Sequence, residues 1–570
     1  MNLNRSLAES GFGRGDLLAL AIAPDRSLGL AWSGGGWSGS LEIAQLGELE
    51  SRLRPRWTCW TVEPLRILIE AGLRVATCWE LAAVHRLLFG GWRASPELVW
   101  AALHDLPAES LPAAGQLDLL GPVGEEGTDL EQPVRPDGHL RPEWTSGGWS
   151  RSADRLVRWA ALAWQAAQLQ QQRLAAVRAA GDPRATARSE STAELLCAEL
   201  GVDGLPVDLH RAEQLIGSVI GPRPRDADEA AAQRERRDAS VLSLVPGEFD
   251  LRNPGSVRAM LARIGIDVPD TRSWRLEAFR GAHPAVDALL SWRKAERIVT
   301  TYGYDWLDRG VGPDGRLRGQ WTGSDGGSGR MTASAGLHSL PAELRAAVVA
   351  EPGHVFVRAD LGQIEPRVLA AVSGDPELAR ASADPDLYAP VAARLGVPRS
   401  EAKVAVLAAM YGQTSGTAGA ALKGLEATYP VAMRFLRQAS DAGRAGQSVR
   451  TYGGRLVRMW RSQPGLTPEA ERANAAARGR YARNVVVQGP AAELFKVWAV
   501  TVRARAAALG GQVVLCLHDE LLVHAPAEVG EQARQLLADC LAEAVHRWAP
   551  DRSVHFVADL SVLERWSEAK

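Results

Sequence analysis

The stretch Val513–Val523, VVLCLHDELLV, constrains this chain more than any other. Val513 to Leu517 reads as a buried strand and Leu521–Val523 as its return, with His518, Asp519 and Glu520 at the tip of the hairpin. Two adjacent carboxylates between buried strands are costly unless something positive meets them. A divalent cation answers that need, because hard oxygen ligands suit magnesium. An ordinary acidic turn remains the alternative while the motif stands alone.

Composition sets the frame for that motif. The 570 residues suffice for several domains, and 46% apolar with 23% charged residues is the balance of a soluble globular protein. Net charge is −2, so no overall basicity points to nucleic acid, and any such site has to be local. Positive charge is nearly all arginine; the lysines are Lys294, Lys403, Lys423, Lys496 and Lys570. Cys59, Cys78, Cys197, Cys516 and Cys540 are scattered without a CxxC pair, which suggests neither a disulfide framework nor a zinc site. Leu17–Ala23 is too short to span a bilayer and poorly flanked for a signal peptide, so a cytoplasmic protein is expected.

Along the chain, Leu17–Ile22 and Ser27–Trp32 read as strands, and Pro64–Ala71, Trp79–Leu88 and Ser152–Ala180 as helices. Gly121–Trp149, rich in Gly, Pro and acidic residues, reads as a long loop. After a break at Gly181–Pro183, helical patterns recur at Ala193–Leu200, Asp208–Ile216, Pro254–Ile264 and His283–Trp306. Pro222–Asp238 is a mixed-charge segment, either an exposed helix or a loop. In the His283–Trp306 pattern, Arg293, Lys294 and Arg297 stand beside Thr300, Thr301 and Tyr302, a set that suits a phosphate backbone or equally a solvated face. Gly323–Gly329 reads as a flexible loop leading to Arg330. His354–Ala359 is an alternating strand that ends at Asp360, and Ile364–Val372 continues as a helix with Glu365 and Arg367. A carboxylate at a strand end is a common catalytic placement and also a common helix cap.

The helix within Arg394–Gly412 starts at Pro398 or Ser400 and ends at Gly412. Arg399, Lys403, Leu407 and Tyr411, spaced by four, share one stripe. Two cations at one end and an aromatic at the other suit a nucleotide, phosphates at the former and base at the latter; a solvated basic helix with a buried Tyr is the bland alternative. From Arg394 to Arg483, fifteen Arg or Lys stand against five Asp or Glu, a local excess of +10 in a chain of net −2. That is the footprint of a phosphate backbone. Arg480, Asn484 and Gln488 follow on one helical face, and their amides can meet the nearly sequence-independent acceptors of a minor groove. A helix Glu528–Trp548 and a strand Val554–Leu560 close the chain.

In this order the stretches resemble family A DNA polymerases, the DNA polymerase I type. The resemblance rests on DLGQIEPR (Asp360–Arg367), RSEAKVAVLAAMYG (Arg399–Gly412), RYARNVVVQG (Arg480–Gly489) and LHDE (Leu517–Glu520). Weaker echoes are GSGRMTAS, TYGGRLVR (Thr451–Arg458) and the thumb-like WRKAERIVTTYGYDWL. It implies an α/β and α+β multidomain fold, a right-hand polymerase preceded by a ribonuclease H-like exonuclease-type domain. The implied boundaries are 1–185 for the degenerate exonuclease-like domain, 186–305 for the thumb, 306–380 and 481–570 for the palm, and 381–480 for the fingers and their connection.

The resemblance also assigns roles. Asp360 and Asp519, with the Leu361 carbonyl, would hold two Mg2+ ions, with Mn2+ as a possible substitute, and Glu520 would support them. Arg399 and Lys403 would bind the triphosphate, with Lys403 placed as a general acid. Gln363, Leu407, Tyr411 and Tyr388 would line the nucleotide, and Glu365 would exclude a ribose 2′-hydroxyl. Arg330, Arg455, Arg480, Asn484, Gln488 and His518 would touch DNA. Expected partners are primer–template DNA and deoxynucleoside triphosphates, with no membrane and a monomeric state. Departures matter: Leu407 replaces an aromatic, Ala408 a Gly and Tyr388 a His; Pro366 is expected to interrupt its helix; the Asp360–Arg399 segment is short. Loss of a stacking face at Leu407, worth roughly 1–3 kcal/mol per base, is expected to weaken nucleotide binding or alter sugar discrimination.

The N-terminal region, with CWELAAVHRLLFGG (Cys78–Gly91) as its central helix, resembles the exonuclease domain in outline only. Its first strand, LLALAIAP, lacks the DxE such a site needs, and ADRLVRWAALAWQ is apolar where a ligand would stand. Without three or four carboxylates two metals cannot be held, so a non-catalytic scaffold is expected, with no 5′-nuclease domain before it. The overall expectation is a template-directed DNA polymerase for replication or repair without active proofreading. Alternatives are a polymerase-fold DNA-binding protein with weakened catalysis, or a single-subunit RNA polymerase, which Glu365 opposes.

Overall fold

The first sheet begins with LLALAI, the Leu17–Ile22 strand, in which large and small apolar side chains alternate. Leu18, Leu20 and Ile22 enter a core with Leu46, Leu49, Leu65 and Leu68, whereas Ala19 and Ala21 turn toward Leu156, Ala160 and Ala163. The period of two along a strand causes that split, and burial of both faces leaves no place for a polar residue. The computed structural model describes residues 3–108, 131–412, 418–550 and 553–569. The sheet order is Gly35–Ser40, Ser27–Trp32, Leu17–Ile22, Arg56–Cys59, Thr77–Glu80, the first three antiparallel and the last two added in parallel. Small residues let the Ala153–Ala175 helix lie close; a Cβ on Gly29 would stand 2.6 Å from the backbone carbon of Leu156.

Cys78, Trp79 and Glu80, read from sequence as the start of a helix, instead pair as a strand, and the helix runs Leu81–Phe89. Parallel pairing with Trp57–Cys59 overrides their helical spacing. Residues 121–130 of the expected Gly121–Trp149 loop lie outside the described residues; beyond them stand a Val134–Leu140 bridge and a short Pro142–Thr145 helix.

Glu80 accepts from the Ala83 amide at the start of its helix and is buried. Burial raises its pKa; Arg86 opposes and Glu194 adds to the rise, so that it is pushed up to about 8. The folded state therefore holds the proton more tightly than the unfolded chain. The stability this brings is present below the ordinary carboxylate range and is lost as pH rises through about 8. Glu80→Gln, which keeps the acceptor and does not ionise, is expected to stabilise the protein by roughly 2 kcal/mol more at alkaline than at acidic pH. Thermal unfolding across pH measures this.

The chain divides into two compact units: Met1–Asp203 with Gln320–Thr332 and Gly353–Val562, and Gly204–Gly319 with Ala333–Pro352 and Leu563–Lys570. Residues 186–203, expected with the helices that follow them, belong to the first unit. They lie in one unbroken helix, Pro183–Asp203, whose Cys197 and Leu200 share a core with Leu494, Phe495 and Trp498. The last three belong to Pro468–Ala506, a helix long and apolar enough to cross a membrane by composition but mostly buried here. The second sheet of this unit has the order Gln512–Leu517, Glu520–Pro526, His354–Gly362, Val557–Leu563.

Pro366 does not interrupt its helix; it sits in the first turn of Ile364–Ser373, where a missing N–H costs no helical bond. The GSDGGSG segment is not a plain loop. Trp321–Asp325 and Arg330–Ala333 pair as a hairpin, and at Gly327 a Cβ would collide with the Tyr481 hydroxyl. All five cysteines are free and buried.

In the second unit, Ala227–Leu242 is a helix, which settles the mixed-charge segment. It shares a core with Pro254–Arg263 and Pro284–Thr301 through Val241, Val257, Leu261, Leu289 and Trp292. The expected His283–Trp306 helix ends at Thr301, and Tyr304–Gly310 is a separate helix. Tyr302 is buried between them, its hydroxyl bonded to Ser339 and Gly336. Of the neighbouring cations, Arg297 donates to the Ser339 carbonyl, Arg293 to the Thr271 carbonyl, and Lys294 pairs with Glu343.

Candidate active site

The hairpin expected from VVLCLHDELLV forms as read, with Leu517 opposite Glu520 and His518 and Asp519 as its two-residue turn. His518 takes the positive φ, 36°, that such turns require. Asp360 and Glu520 are register partners on neighbouring antiparallel strands, and the Leu361 amide donates to the Asp519 carbonyl at 2.8 Å. Three carboxylates that lie up to 160 residues apart in the sequence thus meet at the ends of the two central strands of the sheet.

Asp360 and Asp519 are half-buried and Glu520 is buried. Burial raises the Asp519 pKa, and Asp360 and Glu520 repel its charge further, so that it is pushed up to about 6. Asp360 is raised too, by burial first, with Arg358 opposing and Glu520 and Asp559 adding to the rise. A half-buried set of hard oxygen donors with unbalanced negative charge fits divalent cations of the magnesium class.

Arg358, which the sequence reading passed over, lies beneath this set. Its guanidinium donates to Glu520 at 2.8 Å and to Asp360 at 2.5 Å, and reaches Asp559 at 3.3 Å. The signal was available: two residues before Asp360 on a strand, it projects to the same face.

A second cluster joins Glu365, Tyr411 and Arg330. The Tyr411 hydroxyl donates to Glu365 at 2.8 Å and Arg330 donates to its other oxygen at 2.9 Å. With its amide oxygen turned to Arg330, Gln488 accepts from both guanidinium nitrogens at 2.9 and 3.1 Å and donates to Ser328 Oγ at 3.0 Å. Glu365 is thereby fixed at the foot of the Arg399–Tyr411 helix, which starts after Pro398 and ends at left-handed Gly412, as the sequence indicates.

On that helix Arg399 is paired with Asp386 and lies over the Tyr388 ring, 5.8 Å from its centroid. Gln363 does not project freely: it donates to Asp386 and accepts from the Leu387 amide, both at 2.8 Å. Tyr388 is buried, so its hydroxyl is not presented as a histidine-like surface donor. Lys403 is exposed with no ion pair among the described residues, and Leu407 packs partly against the core. Arg367, fully buried, binds the carbonyls of Gly362, Ser382, Asp384, Pro385 and His555, and so anchors the loop that carries Asp386.

Arg480, Asn484 and Gln488 share a face of the Pro468–Ala506 helix, Arg480 exposed and the other two half-buried. His518 is exposed at the hairpin tip. Arg455 departs from the expectation. It is 2% exposed and paired with Glu190 at 2.5 Å, so it is not presented to DNA; the buried carboxylate draws it inward.

Comparison with known proteins places this arrangement. The family model described as DNA polymerase family A matches residues 227–568. A thermostable DNA polymerase I of Thermus filiformis is 29% identical over 381 residues, covering 60% of this chain and 44% of its own length. One from Thermus thermophilus is 32% identical with the same coverage, and DNA polymerase I of Deinococcus radiodurans is 29% identical over 48% of this chain and 31% of its own. The chain thus spans less than half the length of these curated relatives. The POL domain of Pol1 from M. smegmatis, solved in complex with DNA primer-template and dNTP, matches 100% of this chain and 98% of its own at TM-score 0.70 and 21% identity, a likeness of fold.

Proposed function

The chain belongs to DNA polymerase family A, and from that premise we propose that it is a template-directed DNA polymerase that extends a primer 3′-hydroxyl with deoxynucleotides. The observation that carries this reading is the meeting of Asp360, Asp519 and Glu520 at one half-buried end of the sheet. Two Mg2+ ions held by Asp360, Asp519 and the Leu361 carbonyl would activate the hydroxyl and neutralise phosphate charge. The protein's own groups do the rest. Arg399 and Lys403 bind the triphosphate, and Lys403, which is exposed, gives a proton to the leaving pyrophosphate. Arg399 exchanges Asp386 for phosphate oxygens. Arg480, Asn484 and His518 follow the duplex, and Gln488 and Arg330 position Glu365 beside it.

In this reading the sheet of Asp360 is the palm, the segment around Arg399–Tyr411 the fingers and the helices of the second unit the thumb. The N-terminal sheet is the ribonuclease H-like domain. Its Leu17–Ile22 strand holds no carboxylate, which supports loss of proofreading. The protein acts in the cytoplasm as a monomer, in replication or repair. Extension of a primed template with Mg2+, and no shortening of the primer without nucleotides, tests both statements. Duplex binding without extension would favour the catalytically weakened DNA-binding reading, for which Leu407 and the hold of Arg358 on two carboxylates speak.

Glu365, held by Tyr411 and Arg330, is the group placed to reject a 2′-hydroxyl. Glu365→Ala is expected to narrow the kcat/KM ratio of deoxyribo- over ribonucleotide by about 10- to 100-fold. An unchanged ratio would remove Glu365 from that role.

A further inference from the structure

We propose that Arg358 is a resident cation of the acidic centre, a positioning residue that fixes Asp360 and Glu520 and sets how weakly the centre takes up divalent cations. The inference rests on the polymerase reading and concerns the same carboxylates. Arg358 pairs with three of the four acidic groups gathered there, Asp360, Glu520 and Asp559. Its side chain is 7% exposed, against 34% for Asp360 and 70% for Asp559. It therefore lies under the carboxylates and leaves their outer side open.

Two consequences follow from its chemistry. The guanidinium holds one oxygen of Asp360, Oδ2, and Asp360 stays about a third exposed, within reach of a cation. It also stays charged at every accessible pH. Buried and paired with three carboxylates, it stays in place when a cation arrives. An incoming divalent cation thus meets two ligands already shared with a fixed positive charge. Asp519 is not among the carboxylates that Arg358 pairs with, and it carries the larger share of the drive for uptake.

The test reads cation binding directly, by electron paramagnetic resonance of free Mn2+ titrated with the full chain, without DNA or nucleotide. Arg358→Gln removes the charge and keeps a donor; Arg358→Ala removes both; Arg358→Lys keeps the charge. Arg358→Gln is expected to bind Mn2+ about tenfold more tightly than wild type, ~1.4 kcal/mol, and Arg358→Lys to stay within about threefold of wild type. Primer extension by Arg358→Gln is then half-saturated at correspondingly lower metal. Unchanged or weaker Mn2+ uptake by both neutral variants, folded by circular dichroism, would overturn the proposal and leave Arg358 a structural residue. Asp519→Asn separates the two readings. If Mn2+ uptake survives that change intact, these carboxylates are not the cation site, and the polymerase reading fails with the proposal.

Discussion

Replacing Asp360 or Asp519 with asparagine is expected to lower single-turnover primer extension by about a thousandfold or more, ~4 kcal/mol of transition-state stabilisation. Replacing both should cost little more than replacing one. The reason is cooperative. Asp360 lies on a strand and Asp519 in the turn of the adjoining hairpin, locked by the Leu361 amide to Asp519 carbonyl bond, and the two act as one ligand set. Groups that act as a unit lose their function with the first removal. Asparagine is close in shape, and the buried side of the hairpin is apolar, so the fold is expected to survive. A double-mutant cycle with additive losses would mean that the two carboxylates work independently.

What could be read in the sequence tracks the range of the interactions. The 512–526 hairpin was legible because its apolar runs and polar tip are local, as were the Leu17–Ile22 and Ser27–Trp32 strands. The Arg399–Tyr411 helix was legible because Pro398 and Gly412 mark its ends. The strand of Cys78–Glu80 was not, since helical spacing there is overridden by pairing with Arg56–Cys59. The Trp321–Asp325 and Arg330–Ala333 hairpin was hidden by glycines, which mark a close approach to Tyr481 rather than freedom.

The site divides in the same way. The metal-type carboxylates and the Glu365–Tyr411 neighbourhood were visible as motifs. Arg358, Asp559 and Asp386 were not, because an arginine before an aspartate on a strand, or an aspartate in DPDLY, looks like an ordinary solvated charge until the partners meet. Arg367 was seen as part of DLGQIEPR, but its work is to bind loop carbonyls. Arg455 was misplaced for a related reason. Its partner Glu190 is remote in sequence and buried, and no local pattern announces a buried acid.

That partner leads to the largest expected loss of stability. Glu190 is 2% exposed and paired with Lys496, itself 0% exposed, at 2.7 Å, and with Arg455 at 2.5 Å. Burial opposes its charge, yet Arg455 and Lys496 hold its carboxyl below the ordinary range. Beside them Glu493 accepts from Thr451 and from the Gly453 amide, so the network ties the Pro183–Asp203 helix, the 451–455 turn and the Pro468–Ala506 helix together. Glu190→Ala leaves two buried cations without their shared anion, and removal of one member of a buried pair costs about 3–5 kcal/mol. Lys496→Met combined with Glu190→Gln removes one cation with its anion and keeps an acceptor for Arg455; it is expected to recover about half of the loss. Denaturant unfolding of the three proteins measures the difference. If Glu190→Ala unfolds within about 1 kcal/mol of wild type, water reaches these cations and the network is not what joins the three elements.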